Sequence, residues 1–113
     1  MSADPLTDLS RLCVHTITTK GWELEEAVER YAESGVSGIT VWRQWLEGRD
    51  PLKAGDRIRA AGLKVVSLCR GGFYPAFEEK DREKAIEDNK RAIEDAAALG
   101  APLVVLVCGA VPG

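Results

Sequence analysis

Apolar residues along this chain fall into two alternating kinds of stretch. In the first they run almost without interruption, at Leu12–Ile17, Gly38–Trp42, Lys64–Cys69 and Leu103–Cys108. Continuous runs of this length are the pattern of strands covered on both faces, which predicts parallel pairing. In the second kind they recur every three or four residues. Leu24, Ala27, Val28 and Tyr31 share one helical face, as do Ile86, Asn89, Ile93 and Ala97, while Glu, Asp, Lys and Arg fill the others. Between these, Asp50-Pro51 supplies an N-cap and a first-turn proline to a helix predicted to carry Leu52, Ile58 and Ala61 inward, with Gly55 weakening it.

The helical stretches all stop in the same way. AESGVSGITVW, RAAGLKVVSLC and ALGAPLVVLVC each pass from helix through glycine into strand, placing Gly35, Gly62 and Gly100 where a helix C-terminus favours a left-handed residue. The predicted order is β1-α1-β2-α2-β3-α3-β4, with right-handed crossovers and a parallel sheet. That order suits one side of a barrel or an open doubly wound sheet. The pattern reaches Gly113 with no helix to cover the fourth strand, so residues 1–113 are expected to be a single, partial domain cut after β4.

Composition narrows the field. A chain of 113 residues, 45% hydrophobic and 29% charged, can bury a core, and its net charge of -3 with scattered Lys and Arg offers no basic stripe for nucleic acid. Met1–Ser10 has no apolar signal core, and no run approaches the roughly 20 apolar residues of a membrane span, so a cytoplasmic protein without a membrane partner is expected. Cys13, Cys69 and Cys108 lie in separate apolar runs without CxxC spacing and read as reduced core residues, neither disulfides nor metal ligands. The phosphate-loop patterns GxxxxGK[ST] and GxGxxG and the nucleophile elbow GxSxG are all missing.

In both candidate folds ligands bind beyond the carboxyl ends of the strands, which selects the candidate chemistry. In SLCRGGFYP, Arg70 offers a planar fork for a carboxylate or phosphate, and Gly71 and Gly72 allow close approach to the backbone; the competing reading pairs Arg70 with a nearby acid. His15 is the single histidine, a polar contact or an acid-base group. Trp42 offers an aromatic wall for a sugar ring, and Arg43 and Gln44 offer donors to its hydroxyls, while Trp45 equally suits packing under a helix. The acids Glu78, Glu79, Asp81, Glu83, Glu87 and Asp88 read as a solvated face.

The segments GITVWRQ, GLKVVSLCRGGFYP and DNKRAIEDAAALGAPLVVLVCGAVPG resemble the N-terminal half of sugar phosphate isomerase/epimerase proteins, the xylose-isomerase-like (β/α)8 family. The likeness runs from about Leu12 to Gly113 and is most specific in LCRGGF and AIEDAAALGAP. It implies an α/β chain forming the first half of a TIM barrel, acting on a sugar, sugar phosphate or polyol by proton or hydride transfer. It also implies a divalent metal of the Mg, Mn or Zn class, held by Glu, Asp, His and Glu of later strands and not by this chain. His15, Trp42, Arg43, Arg70, Gly71 and Gly72 would then shape the substrate site. Three other readings remain open: a noncatalytic half-barrel that pairs with a second copy or a complementary chain, a metal-dependent hydrolase or abasic-site nuclease of the same superfamily, and a flavodoxin-like regulatory sheet.

Overall fold

The structure, a computed structural model, describes residues 5–111. Four strands pair in parallel in the order β1-β2-β3-β4: β1 Cys13–His15, β2 Gly38–Trp42, β3 Lys64–Gly72 and β4 Val104–Val107. Between them lie α1 Leu24–Glu33, α2 Pro51–Ala60 and α3 Glu79–Leu99. Sequential neighbours joined by helices put every strand's carboxyl end on one side of the sheet.

One core joins helices to sheet. Leu24, Val28 and Tyr31 of α1, Ile58 of α2 and Leu99 of α3 pack against Ile39 and Val41 of β2 and Val65 and Leu68 of β3. Alternation along β2 turns Thr40 to the opposite face, where its hydroxyl lies 2.8 Å from that of Ser67 and 3.3 Å from the Cys13 sulfur. These buried polar groups satisfy one another between adjacent strands.

The helix ends follow the local rules. Asp50 accepts a hydrogen bond from the Leu52 amide at 3.0 Å with Pro51 in the first turn, and Gly100 closes α3 at φ 86°. Three expectations change. The run Leu12–Ile17 makes only a short strand, because Thr16–Thr19 winds into a single 3-10 turn that carries the chain off the sheet. Strand β3 continues past Cys69 to Gly72, since Gly71 and Gly72 stay in register with Leu106 and Val107 after an irregularity at Arg70. Cys108 is exposed, beyond the last strand pair, so only Cys69 of the three cysteines is a fully buried core residue.

The helix faces are also rotated from expectation. Helix α3 buries Asn89, Ala92, Ala96 and Leu99, leaving Ile86 and Ile93 exposed, and Ala97 faces outward with them. Its small residues allow close approach, so they take the contact with the rest of the domain. Helix α2 buries Ala54, Gly55 and Ile58 and leaves Leu52 and Ala61 outside. A β-carbon at Gly55 would collide with the Leu99 carbonyl, so α2 approaches the end of α3 closely at this glycine.

Candidate functional site

The rim formed by the strand ends carries two adjoining groups of side chains. The first is His15 with Trp42. The indole Nε1 of Trp42 donates to Nδ1 of His15 at 3.1 Å, and the rings are tilted by 59° with centroids 6.5 Å apart. Local structure holds both partners: the Trp42 amide donates to Thr16 Oγ1 at 2.9 Å, and the Tyr31 hydroxyl donates to the His15 carbonyl at 3.3 Å. Thr16 is fully buried, so the start of the 3-10 turn after β1 is anchored to the end of β2.

The second group surrounds Arg43 and Arg70. Arg43 donates two parallel hydrogen bonds to Asp88 of α3, at 2.9 and 3.0 Å, and a longer one of 3.4 Å to the Arg70 carbonyl. Hydrogen bonding from Arg43 holds the Asp88 carboxyl below its usual range, and the same bonds raise Arg43, both against a smaller opposing effect of burial. Asp88, which its surroundings in sequence assign to a solvated face, is thus the acid that fixes the rim arginine.

Arg70 has no acid partner among the described residues. Its guanidinium lies 4.2 Å from the centre of the Phe73 ring, a cation–π contact that leaves its outer donors open. A cleft of about 530 Å³ runs past Arg43, Gln44, Glu47, Arg70, Phe73 and Asp88. Its arginines and acids nearly balance in charge, and Arg70 is the cation in it left without a carboxylate. His15 and Trp42 adjoin this cleft without lining it. Trp45 packs inward, donating from Nε1 to the Trp22 carbonyl at 2.7 Å.

Gly71 and Gly72 serve the backbone. The Gly72 amide donates to Asn89 Oδ1 at 2.6 Å, and Asn89 Nδ2 donates back to the Gly72 carbonyl at 2.9 Å and to the Ala85 carbonyl at 2.7 Å. The Gly72 N–H is therefore engaged within the fold. Asn89 had a signal in the sequence: one amide on an otherwise apolar helical face needs buried backbone partners.

Among the described residues no three His, Cys, Asp or Glu side chains cluster so as to hold a metal ion. The rim histidine also has Nδ1 occupied by an indole. The described residues of this chain therefore offer no ligand set for a divalent ion, whose ligands the resemblance assigns to later strands.

The family model for the xylose isomerase-like TIM barrel matches residues 28–113. The chain belongs to that family. Its four parallel strands with alternating helices form half of the α/β barrel that names it. No curated protein matches the sequence. Among solved structures, this xylose isomerase-like chain is similar to protein SMc04130 from Sinorhizobium meliloti 1021, with 41% identity and a TM-score of 0.84 over 94% of this chain and 39% of that one. A xylose isomerase domain containing protein from Salmonella typhimurium LT2 matches at TM-score 0.74 and 16% identity, covering 96% of this chain and 42% of the other. A fusion protein of a xylose isomerase-like TIM barrel with 4-hydroxyphenylpyruvate dioxygenase matches at TM-score 0.76 and 16% identity, over 88% and 16% of the two chains. The last two likenesses concern the fold alone. The chain thus spans about two fifths of the length of the first of these proteins.

Proposed function

We propose that this chain is the N-terminal part of a sugar phosphate isomerase/epimerase, in which His15, Trp42, Arg43 and Arg70 bind and orient a sugar, sugar phosphate or related polyol. The supporting observation is the unpaired Arg70 guanidinium in a rim cleft beside an aromatic–histidine pair, at the carboxyl ends of three adjacent parallel strands. Arg70 would take a phosphate or carboxylate oxygen, and Arg43, already held by Asp88, would supply a fixed wall. Proton transfer and any metal ligation would fall to groups outside this chain. The location proposed is the cytoplasm; no helix among the described residues is long and apolar enough to cross a membrane.

The test uses the protein expressed from its complete coding sequence, incubated in deuterated water with aldoses, ketoses and their phosphates and with Mg, Mn or Zn. Interconversion or deuterium incorporation beside the carbonyl, lost on chelation, is expected. Arg70→Ala should raise the half-saturating concentration of a phosphorylated substrate roughly ten- to a hundredfold with little change in folding. Silence across the whole panel overturns the proposal.

A second reading has its own observation. Among the described residues nothing pairs with the outer edges of β1 and β4, and a groove of about 450 Å³ beside β4 is lined by Ile93, Ala97, Leu103 and Leu106. A noncatalytic half-barrel would cover these by pairing with a second copy or a complementary chain. Light scattering on the 113-residue chain should then give twice the monomer mass, whereas a clean monomer at high concentration argues against self-pairing.

A further inference from the structure

The Trp42–His15 bond does more than pack two rings. Trp42 Nε1 carries a hydrogen and can only donate, so the nitrogen it meets, His15 Nδ1, must offer a lone pair. A neutral imidazole that accepts at Nδ1 carries its proton on Nε2, and an imidazolium has no acceptor to offer. Among the described residues no protein group bonds His15 Nε2, and no side-chain nitrogen or oxygen is buried without a partner, so Nε2 is open to solvent.

We propose that Trp42 is a positioning residue that locks His15 in its Nε2-protonated form. On this rim His15 would then present a hydrogen-bond donor, not a basic nitrogen, to a hydroxyl or carbonyl oxygen of the ligand. The donor role rests on the sugar-binding reading above; the lock does not. It assigns His15 to orientation and polarisation of an oxygen and leaves proton abstraction to another group.

His15 is the single histidine of these 113 residues, so a ¹⁵N-labelled, untagged sample of this chain carries one imidazole to read. The spectrum is recorded at a pH about two units above the free imidazole value. The wild type should show a pyrrole-like Nε2 and a pyridine-like Nδ1 at wide separation, with a ¹⁵N–¹⁵N coupling across the hydrogen bond to Trp42 Nε1. In Trp42→Phe, which keeps the apolar bulk, the coupling should vanish and the two nitrogen shifts should move toward each other. A pyrrole-like Nδ1 in the wild type overturns the lock whether or not the variant folds. So does a folded variant with unchanged shifts. Adding D-xylose or D-fructose 6-phosphate to the protein expressed from its complete coding sequence, with the His15 signals assigned by their loss in His15→Gln, should then move Nε2 and leave Nδ1 in place. No Nε2 response to either sugar in a protein that does interconvert sugars overturns the donor role alone; no response together with silence across the sugar panel overturns the sugar reading as well, while the lock itself stands.

Discussion

Gly72 shows how little room single positions on this rim have. Its φ is 101°, and a β-carbon there would strike the Val107 carbonyl of the neighbouring strand. Gly72→Ala should therefore destabilise the domain by roughly 2–4 kcal/mol in urea unfolding, through backbone strain and a displaced β4. Asn89→Ala should cost about as much, roughly 2–4 kcal/mol, by leaving a buried N–H and a buried carbonyl of Gly72 unpaired. Faster hydrogen exchange at the Gly72 amide would tie that loss to this contact; unchanged exchange would disconnect it. Away from the rim, hydrogen bonds from Arg49 lower the Glu25 carboxyl from 4.5 to about 2 against the effect of burial. A folded value below the unfolded one means stabilisation that is full above about pH 4.5 and lost as pH falls toward 2. Because the Glu25 side chain is 43% exposed, screening limits its worth to about 1 kcal/mol, so Glu25→Gln should lower stability by that much at neutral pH and by almost nothing near pH 2. Thiol chemistry is graded by position. Burial pushes the Cys69 thiol up, only partly offset by Arg70, and Cys108 is exposed. A thiol reagent should label Cys108 first and Cys69 last.

At the level of elements, α2 sets two effects of opposite sign against each other. Helix propensity alone makes Gly55→Ala stabilising by roughly 0.5–1 kcal/mol. The approach of α2 to the Leu99 carbonyl makes it destabilising, since the added carbon has no space and the obstacle is backbone. The steric effect should win, with a net loss of about 1–3 kcal/mol in thermal or urea unfolding. A more stable Gly55→Ala would show that the two helices slide apart at negligible cost. Helix α3 makes a related point. Its apolar periodicity was legible, yet the stripe that packs inward is Ala92, Ala96 and Leu99 with Asn89, while Ile86 and Ile93 are left exposed, Ile93 on the open groove. Both stripes fit helical spacing, and only the tight neighbourhood of α2 and β3 selects the one built from smaller side chains. The helix stops at Gly35, Gly62 and Gly100, all in the left-handed region, were legible because they depend on residues within a single turn.

Over the whole molecule, the open groove beside β4 leaves large apolar side chains uncovered. Ile93 and Leu103 are 61% and 53% exposed there, in a region the sequence marks as strongly apolar. If two copies pair across this face, Ile93→Glu should weaken the dimer at least about tenfold in sedimentation equilibrium, with an unchanged circular dichroism spectrum. A dimer insensitive to the substitution would move the contact elsewhere. What the sequence determined by itself is the order of elements, their parallel arrangement and the side of the sheet on which the rim residues gather. Those follow from periodicity, caps and crossover rules, all properties of neighbouring residues. Only the tertiary structure decided the partners: Trp42 with His15, Arg43 with Asp88, Gly72 with Asn89 and Gly55 with Leu99, pairs separated by 17 to 45 residues in the chain. A pairing at that distance depends on strand register and on where each helix lies against the sheet. No local pattern carries either quantity, because both are set by the packing of the whole core.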